Sequence, residues 1–167
     1  MSLVLREFTP EDESTALRAW REFPKNGPAF LTWYREGQPW SEYLEFLADL
    51  RVGRHLLEGH VPGVVLAGVV DGSLVGRVSV RYRLNDYLAR YGGHLGFAVI
   101  EEHRRKGYAT AMLRLALRLA TENGISPILL TCDDDNVGSA AVIERCGGSL
   151  ESVGPDENGV LFRRYWV

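Results

Sequence analysis

Between residues 95 and 123 an apolar run, a charged loop with one glycine and a long amphipathic pattern follow one another without a break. The run is Leu95–Ile100. The loop reads Glu101-Glu102-His103-Arg104-Arg105-Lys106-Gly107. The helical pattern carries Met112, Leu115, Ala116 and Leu119 on one face, and Thr110, Arg114, Arg118 and Glu122 on the other. A strand, a glycine loop and a helix start in that order predict an α/β unit with an anion site at the turn. The first amides of a helix have no partner inside it, and the helix dipole adds partial positive charge there. Gly107 lets backbone approach an anion closely, and Arg104, Arg105 and Lys106 place full charges beside it. Two other phosphate loops do not fit: there is no Gly-x-x-x-x-Gly-Lys-Ser/Thr, and the glycines are not spaced as Gly-x-Gly-x-x-Gly.

The 167 residues suffice for one domain, residues 1–167, with a sizeable core. An apolar content of 46% with 25% charged residues is that of an ordinary globular chain. A net charge of −3 argues against a nucleic-acid partner, whose affinity depends on neutralised phosphates, and leaves room for a local basic site. Cys132 and Cys146 lack metal-type spacing and read as small core residues, so neither a disulfide framework nor a metal site is expected. Asp133-Asp134-Asp135 reads as a solvated turn. The first residues, Met-Ser-Leu-Val-Leu-Arg-Glu-Phe, are charged too soon for a signal peptide, and no apolar run reaches membrane-spanning length. A cytoplasmic protein without a membrane partner is expected.

Alternation predicts a first strand over 3–8. Thr9-Pro10-Glu11-Asp12 then reads as a capped helix start, with Ala16, Leu17, Ala19 and Trp20 on the buried face. Residues 23–40 have no period and read as a loop or broken helix. Ser41 is a candidate cap for a second helix through Tyr43, Leu44, Phe46, Leu47 and Leu50. Two β-rich runs, Gly63–Val70 and Ser73–Tyr82, flank Asp71-Gly72 and predict a hairpin. A polar stretch over 83–93 leads to a strand at 94–100 and a helix from about Gly107 to Asn123. A strand at Ile128–Cys132, a helix at Val137–Arg145 and two strands near 149–153 and 160–166 complete the chain.

Arg104-x-x-Gly107-x-Ala109 resembles the Arg/Gln-x-x-Gly-x-Gly/Ala pyrophosphate loop of the GNAT family of N-acetyltransferases, and the order β-α-α-β-β-β-α-β-α-β-β is similar to that family's over about residues 3–167. The resemblance implies a mixed, mostly antiparallel sheet of six to seven strands flanked by about four helices. It also implies acetyl-CoA as co-substrate and an amine of a small molecule or peptide as acceptor; a homodimer stays open. The cofactor-binding set it implies is the loop, Arg104, Arg105, Lys106, Gly107, Tyr108, Ala109 and Thr110, with Phe97 and Val99 on the preceding strand, whose backbone pairs with the pantetheine arm in the family. A Val99 amide would then polarise the thioester carbonyl. The family's second motif, Asn-x-x-Ala-x-x-x-Tyr-x-x-x-Gly-Phe, corresponds to Asn136, Ser139, Ile143, Gly147 and Gly148. Asn136 matches the residue that contacts pantetheine, and it is equally a helix cap; Ser139 adds a hydroxyl. Ile143 departs from the family pattern: it stands where many relatives carry the tyrosine that protonates the leaving thiolate, and it has no proton to give.

His94, at the start of the strand, is the candidate base, since an imidazole titrating near ~6.5 suits proton removal near neutral pH. Its structural alternative is a strand-end histidine bonded to backbone. Tyr108 and Tyr165 are candidates for the acid by residue type alone. The aromatic cluster Phe23, Phe30, Trp33, Tyr34, Trp40 and Tyr43 falls where the resemblance places the acceptor pocket. The absence of a plausible nucleophile favours direct transfer. The alternatives are a CoA-binding regulator without catalysis, which Ile143 keeps in play, and a nucleotide-binding module using the same loop.

Overall fold

The computed structural model describes residues 2–25 and 28–167; Met1, and Asn26 and Gly27 of the expected 23–40 loop, lie outside the described residues. Strand β1 (Leu3–Arg6) is followed by a short 3-10 turn, Pro10–Asp12, and then by α1 (Glu13–Glu22). The turn is tied by Asp12, whose carboxylate accepts from the Thr9 amide at 2.8 Å and from Arg6 Nη1 at 2.6 Å. Helix α2 runs Trp40–Val52, one residue earlier than the expected cap at Ser41. The reason is tertiary: Trp40 is buried, and its indole donates to the Thr9 carbonyl at 3.0 Å.

Strands β2 (Gly63–Val70) and β3 (Ser73–Arg81) form the expected hairpin, with both turn residues, Asp71 and Gly72, in the left-handed region. Strand β4 (Leu95–Val99) leads to α3 (Tyr108–Glu122), then β5 (Leu129–Asp133) and α4 (Val137–Arg145). Strands β6 (Ser149–Pro155) and β7 (Leu161–Trp166) close the chain. The stretch over 83–93 contains a π-helical turn, Leu88–Gly92, where only a polar segment was expected.

One seven-stranded sheet has the order β1-β2-β3-β4-β5-β7-β6. Every neighbouring pair is antiparallel except β4 with β5. Alternate residues of the central strands feed two cores. Val78, Val80, Leu95 and Val99 pack under α3 and α4, whereas Val65, Ala67, Ala98 and Ile100 pack under α1 and α2. The buried stripe of α3 is Met112, Leu113, Ala116 and Ala120; Leu115 and Leu119 flank it, which shifts the expected face by a fraction of a turn. Met112 can lie flat on the sheet because Gly68 and Gly76 stand beneath it. A Cβ at Gly68 would come within 2.3 Å of its sulfur.

Candidate active site between diverging strands

Strands β4 and β5 run parallel but touch at one register position only, Leu95 beside Leu130. Which peptide groups face the resulting gap follows from the β3–β4 ladder. Arg81 N donates to His94 O at 2.8 Å, and Ile100 N donates to Val75 O at 2.9 Å. Even-numbered residues of β4 therefore turn their peptides toward β3, and Leu95, Phe97 and Val99 turn theirs toward β5. Leu95 meets β5; Phe97 and Val99 face the opening. The Val99 carbonyl is engaged by Arg104 Nε at 3.1 Å, so its N–H is the group left toward the gap.

Beyond β4 the chain makes a 3-10 turn, Glu101–His103, and enters the loop with Arg105 at φ 61° and Gly107 at φ 82°. Gly107 is the N-cap of α3, and no side chain caps that helix. Its first amides, on Tyr108, Ala109 and Thr110, are therefore available to an anion. A Cβ built on Gly107 meets nothing within 4 Å, so the space in front of the loop is open. Arg104 is drawn back against the fold: besides its bond to Val99, its guanidinium lies 5.4 Å from the Phe23 ring centroid. Glu102 pairs with Arg18 of α1 at 2.6 Å, which ties the loop to that helix. Arg105 and Lys106 are exposed. On the far side of the gap, Asn136 caps α4 by accepting from the Ser139 amide at 3.1 Å.

His94 sits at the apex where the two strands meet, one residue before β4 begins. Its N–H donates to Leu129 O at 2.7 Å, and its ring Nδ1 accepts from Leu129 N at 3.0 Å. A backbone amide can only donate, so Nδ1 offers its lone pair and the neutral ring carries its proton on Nε2. That tautomer donates at Nε2 rather than accepting a proton, and it departs from the expectation that His94 is the base. The hydrogen bonds make it a clasp on the strand pair. Burial, and then the nearby Arg81, hold its pKa below the ordinary 6.5. His60, half-buried beside Trp33 and Phe46, is lowered by its partial burial as well. The unfolded chain therefore binds protons first as pH falls, and stability is full above the unfolded value and is lost below it. Thermal melts should show Tm falling as pH drops from about 6.5, and His94→Gln should remove part of that fall.

Ile143 is fully buried in the core under α3 and α4. Ile143→Val should cost only ~0.5–1.5 kcal/mol of stability and leave turnover per folded molecule unchanged. A selective loss of turnover would show that position 143 takes part in the chemistry. Of the two tyrosine candidates, Tyr108 opens α3 beside His103, with ring centroids 6.4 Å apart. Tyr165 is buried and donates to Glu144 Oε1 at 2.9 Å. Both thiols are pushed up by burial, Cys132 to about 11, which leaves neither as a ready nucleophile at neutral pH. Among the described residues, no group of three or more His, Cys, Asp or Glu side chains could hold a metal ion. No helix there is long and apolar enough to cross a membrane.

The opposite sheet face carries residues that pattern reading passed over. Arg77 and Ser79 on β3 are buried, beside Ala98 and Gly96 of β4. Their alternation with Val78 and Val80 looks like a solvent-facing row, but two segments cover it. The loop before α2 is held over Arg77, which donates to the carbonyls of Phe30 and Ala29 at 2.8 and 2.7 Å. The π-helical turn lies over β5 and β7: Thr131 Oγ1 donates to Tyr91 O at 2.7 Å, and Arg164 Nη1 to Ala89 O at 2.7 Å. Gly96, part-exposed, forms the floor between these two covers.

The family model of the acetyltransferase (GNAT) domain matches residues 2–149. A comparison with curated proteins finds no match. Among solved structures, a spermidine N-acetyltransferase chimera of Vibrio cholerae SpeG and hSSAT is 19% identical, with a TM-score of 0.68 over 100% of this chain and 95% of its own. An acetyltransferase from Agrobacterium tumefaciens is 23% identical, with a TM-score of 0.63 over 98% and 90%. The yncA structure from Salmonella typhimurium, solved with its cofactor acetyl-CoA, is 15% identical, with a TM-score of 0.65 over 100% and 94%. The seven-stranded sheet is the fold these structures share, and the family model spans most of the chain, which belongs to the GNAT family of acetyltransferases, enzymes that use acetyl-CoA.

Proposed function

We propose that this chain transfers an acetyl group from acetyl-CoA directly to a primary amine of a small molecule or peptide. The observation that carries the proposal is the gap between β4 and β5, with the peptides of Phe97 and Val99 turned into it and the uncapped start of α3 at its open end. When bound, acetyl-CoA supplies the thioester; the rest falls to the chain. The amides of Tyr108, Ala109 and Thr110, with Arg105 and Lys106, hold the pyrophosphate. Phe97 and Val99 pair with the pantetheine arm, Asn136 and Ser139 bound it from α4, and the Val99 N–H polarises the carbonyl. Arg104 keeps the Val99 peptide in place through its carbonyl. The clasp at His94 fixes where the strands part. Raised thiol pKa values support direct transfer over an acyl-enzyme. We place the reaction in the cytoplasm, where unpaired thiols stay reduced.

Ile143 favours one second assignment, a CoA-binding regulator without turnover, because that buried side chain donates no proton to a thiolate. Release of free CoA from acetyl-CoA across a broad panel of amines separates the two. Amine-dependent release well above hydrolysis is expected; CoA binding with no amine-dependent release is the regulator's result.

A further inference from the structure

Arg77 is 4% exposed and Ser79 is 5% exposed, both on the sheet face under α1 and α2. A buried guanidinium loses its hydration, and a carboxylate ordinarily compensates. Here Nε and Nη2 donate to the carbonyls of Phe30 and Ala29, and no carboxylate among the described residues pairs with Arg77. The charged or titratable groups facing it are Tyr43 and Arg81. Tyr43 donates its hydroxyl to Thr32 O, and Arg81 is a second, half-buried cation, bonded to the Gly92 and Gly93 carbonyls. Burial brings the Arg77 pKa down to about 10, so it stays charged at neutral pH.

The two carbonyl bonds account for the tether to the loop before α2. They leave Nη1, which is turned to Gly96: a Cβ there would stand 3.3 Å from Nη1 and 2.9 Å from Ser79 Oγ. Ser79 Oγ is buried and has no hydrogen-bond partner among the described residues. A cationic N–H and an orphaned hydroxyl thus meet at the strand position next to Phe97, whose peptide faces the gap. Both are covered, and Gly96, part-exposed between the two covering segments, is the point from which a bound acceptor would reach them.

We propose that the acceptor is an amine that also carries an anionic group, a carboxylate in the simplest case, and that Arg77 selects it, with Ser79 Oγ supplying the second hydrogen bond. This rests on the acetyl-transfer proposal and adds the substrate class. The acceptor's anion compensates a charge that the fold leaves unpaired. A polycation such as spermidine meets the guanidiniums of buried Arg77 and half-buried Arg81 instead and is disfavoured by the same arrangement. Those cations also favour the neutral form of an amine bound beside them, the form that attacks a carbonyl.

The test uses matched acceptors: ω-amino acids of increasing length, the corresponding amides, the alkylamines without the carboxyl group, and spermidine. Free CoA is read with the full-length protein. A charged hydrogen bond of this kind predicts a kcat/KM for the best amino acid about 10–100-fold above that of its amide. Arg77→Gln should bring that acid down to the level of its amide, and Ser79→Ala should narrow the gap several-fold. Arg77→Lys, which keeps the charge, should retain the preference. Variants are compared where CoA still raises Tm as in the wild type; since Arg77 also tethers a loop, Ser79→Ala and Arg77→Lys carry the test if Arg77→Gln does not fold. Acid and amide acetylated equally, spermidine as the best acceptor, or a preference that survives Arg77→Gln each overturn the assignment of Arg77 while leaving acetyl transfer standing. CoA binding with no acceptor consumed overturns acetyl transfer and this assignment together.

Discussion

Gly107→Glu is expected to abolish the rise in Tm that CoA produces in the wild-type protein. A ligand bound only to the folded state at 100 times its Kd adds about 2.7 kcal/mol, which is about 5–11 °C for a chain of this size. The substitution puts bulk and negative charge into the open space before the loop, where nothing now lies within 4 Å. It also forces a side chain onto a residue at φ 82°, which strains the N-cap of α3. Gly107→Ala carries the same backbone strain with only a methyl group. It should lower Tm without ligand by a similar amount yet keep most of the CoA response. Differential scanning fluorimetry of the three proteins with and without CoA separates strain from ligand exclusion. A folded Gly107→Glu protein with the wild-type response would remove the phosphate site from this loop.

Gly76→Ala should be the most destabilising single-methyl change in the central sheet. Its Cβ would stand 2.4 Å from the Ala98 carbonyl oxygen, which belongs to the neighbouring strand and cannot step aside, and 2.7 Å from Met112 Cε. Overpacking typically costs ~1–3 kcal/mol, occasionally more, and a backbone obstacle places this site at the upper end, with a drop of about 6–12 °C in Tm. Gly68→Ala clashes with the Met112 side chain alone, the Gly76 carbonyl oxygen standing at an ordinary contact distance of 3.5 Å. Shortening that side chain should relieve it, so Met112→Ala is expected to be less costly on the Gly68→Ala background than alone. The same relief should fail for Gly76→Ala. Equal rescue at both sites would show that β3 and β4 can separate there, and with it that the register feeding the gap is loose.

The elements that were legible in the sequence are those whose determinants are local. Asp71-Gly72 specifies its hairpin because both residues accept left-handed backbone. Asn136 caps α4 with its own side chain, and Gly107 marks the start of α3. What escaped was set by tertiary contacts. Trp40 begins α2 because its indole reaches Thr9, thirty-one residues away. The turn at Leu88–Gly92 is held by Thr131 and Arg164, which lie far along the chain. The candidate site divides the same way. The proposed phosphate loop is contiguous, so the sequence alone suggests it. Arg77 and Ser79 could not be read that way, because alternation with valines is the pattern of a strand with one wet face, and here loops cover that face. His94 was visible as a residue, but its partner, the Leu129 amide, belongs to a strand thirty-five residues on. Only the fold reveals that its Nδ1 lone pair is already used.

The central claim is that the parted strands and the α3 start form one binding surface for acetyl-CoA. Residue-resolved amide hydrogen exchange, with and without CoA, tests it directly. On adding CoA, the amides of Phe97, Val99, Tyr108, Ala109 and Thr110 should gain protection together, and those along β6 should not change. Binding of CoA that leaves Phe97 and Val99 exchanging as before would contradict it.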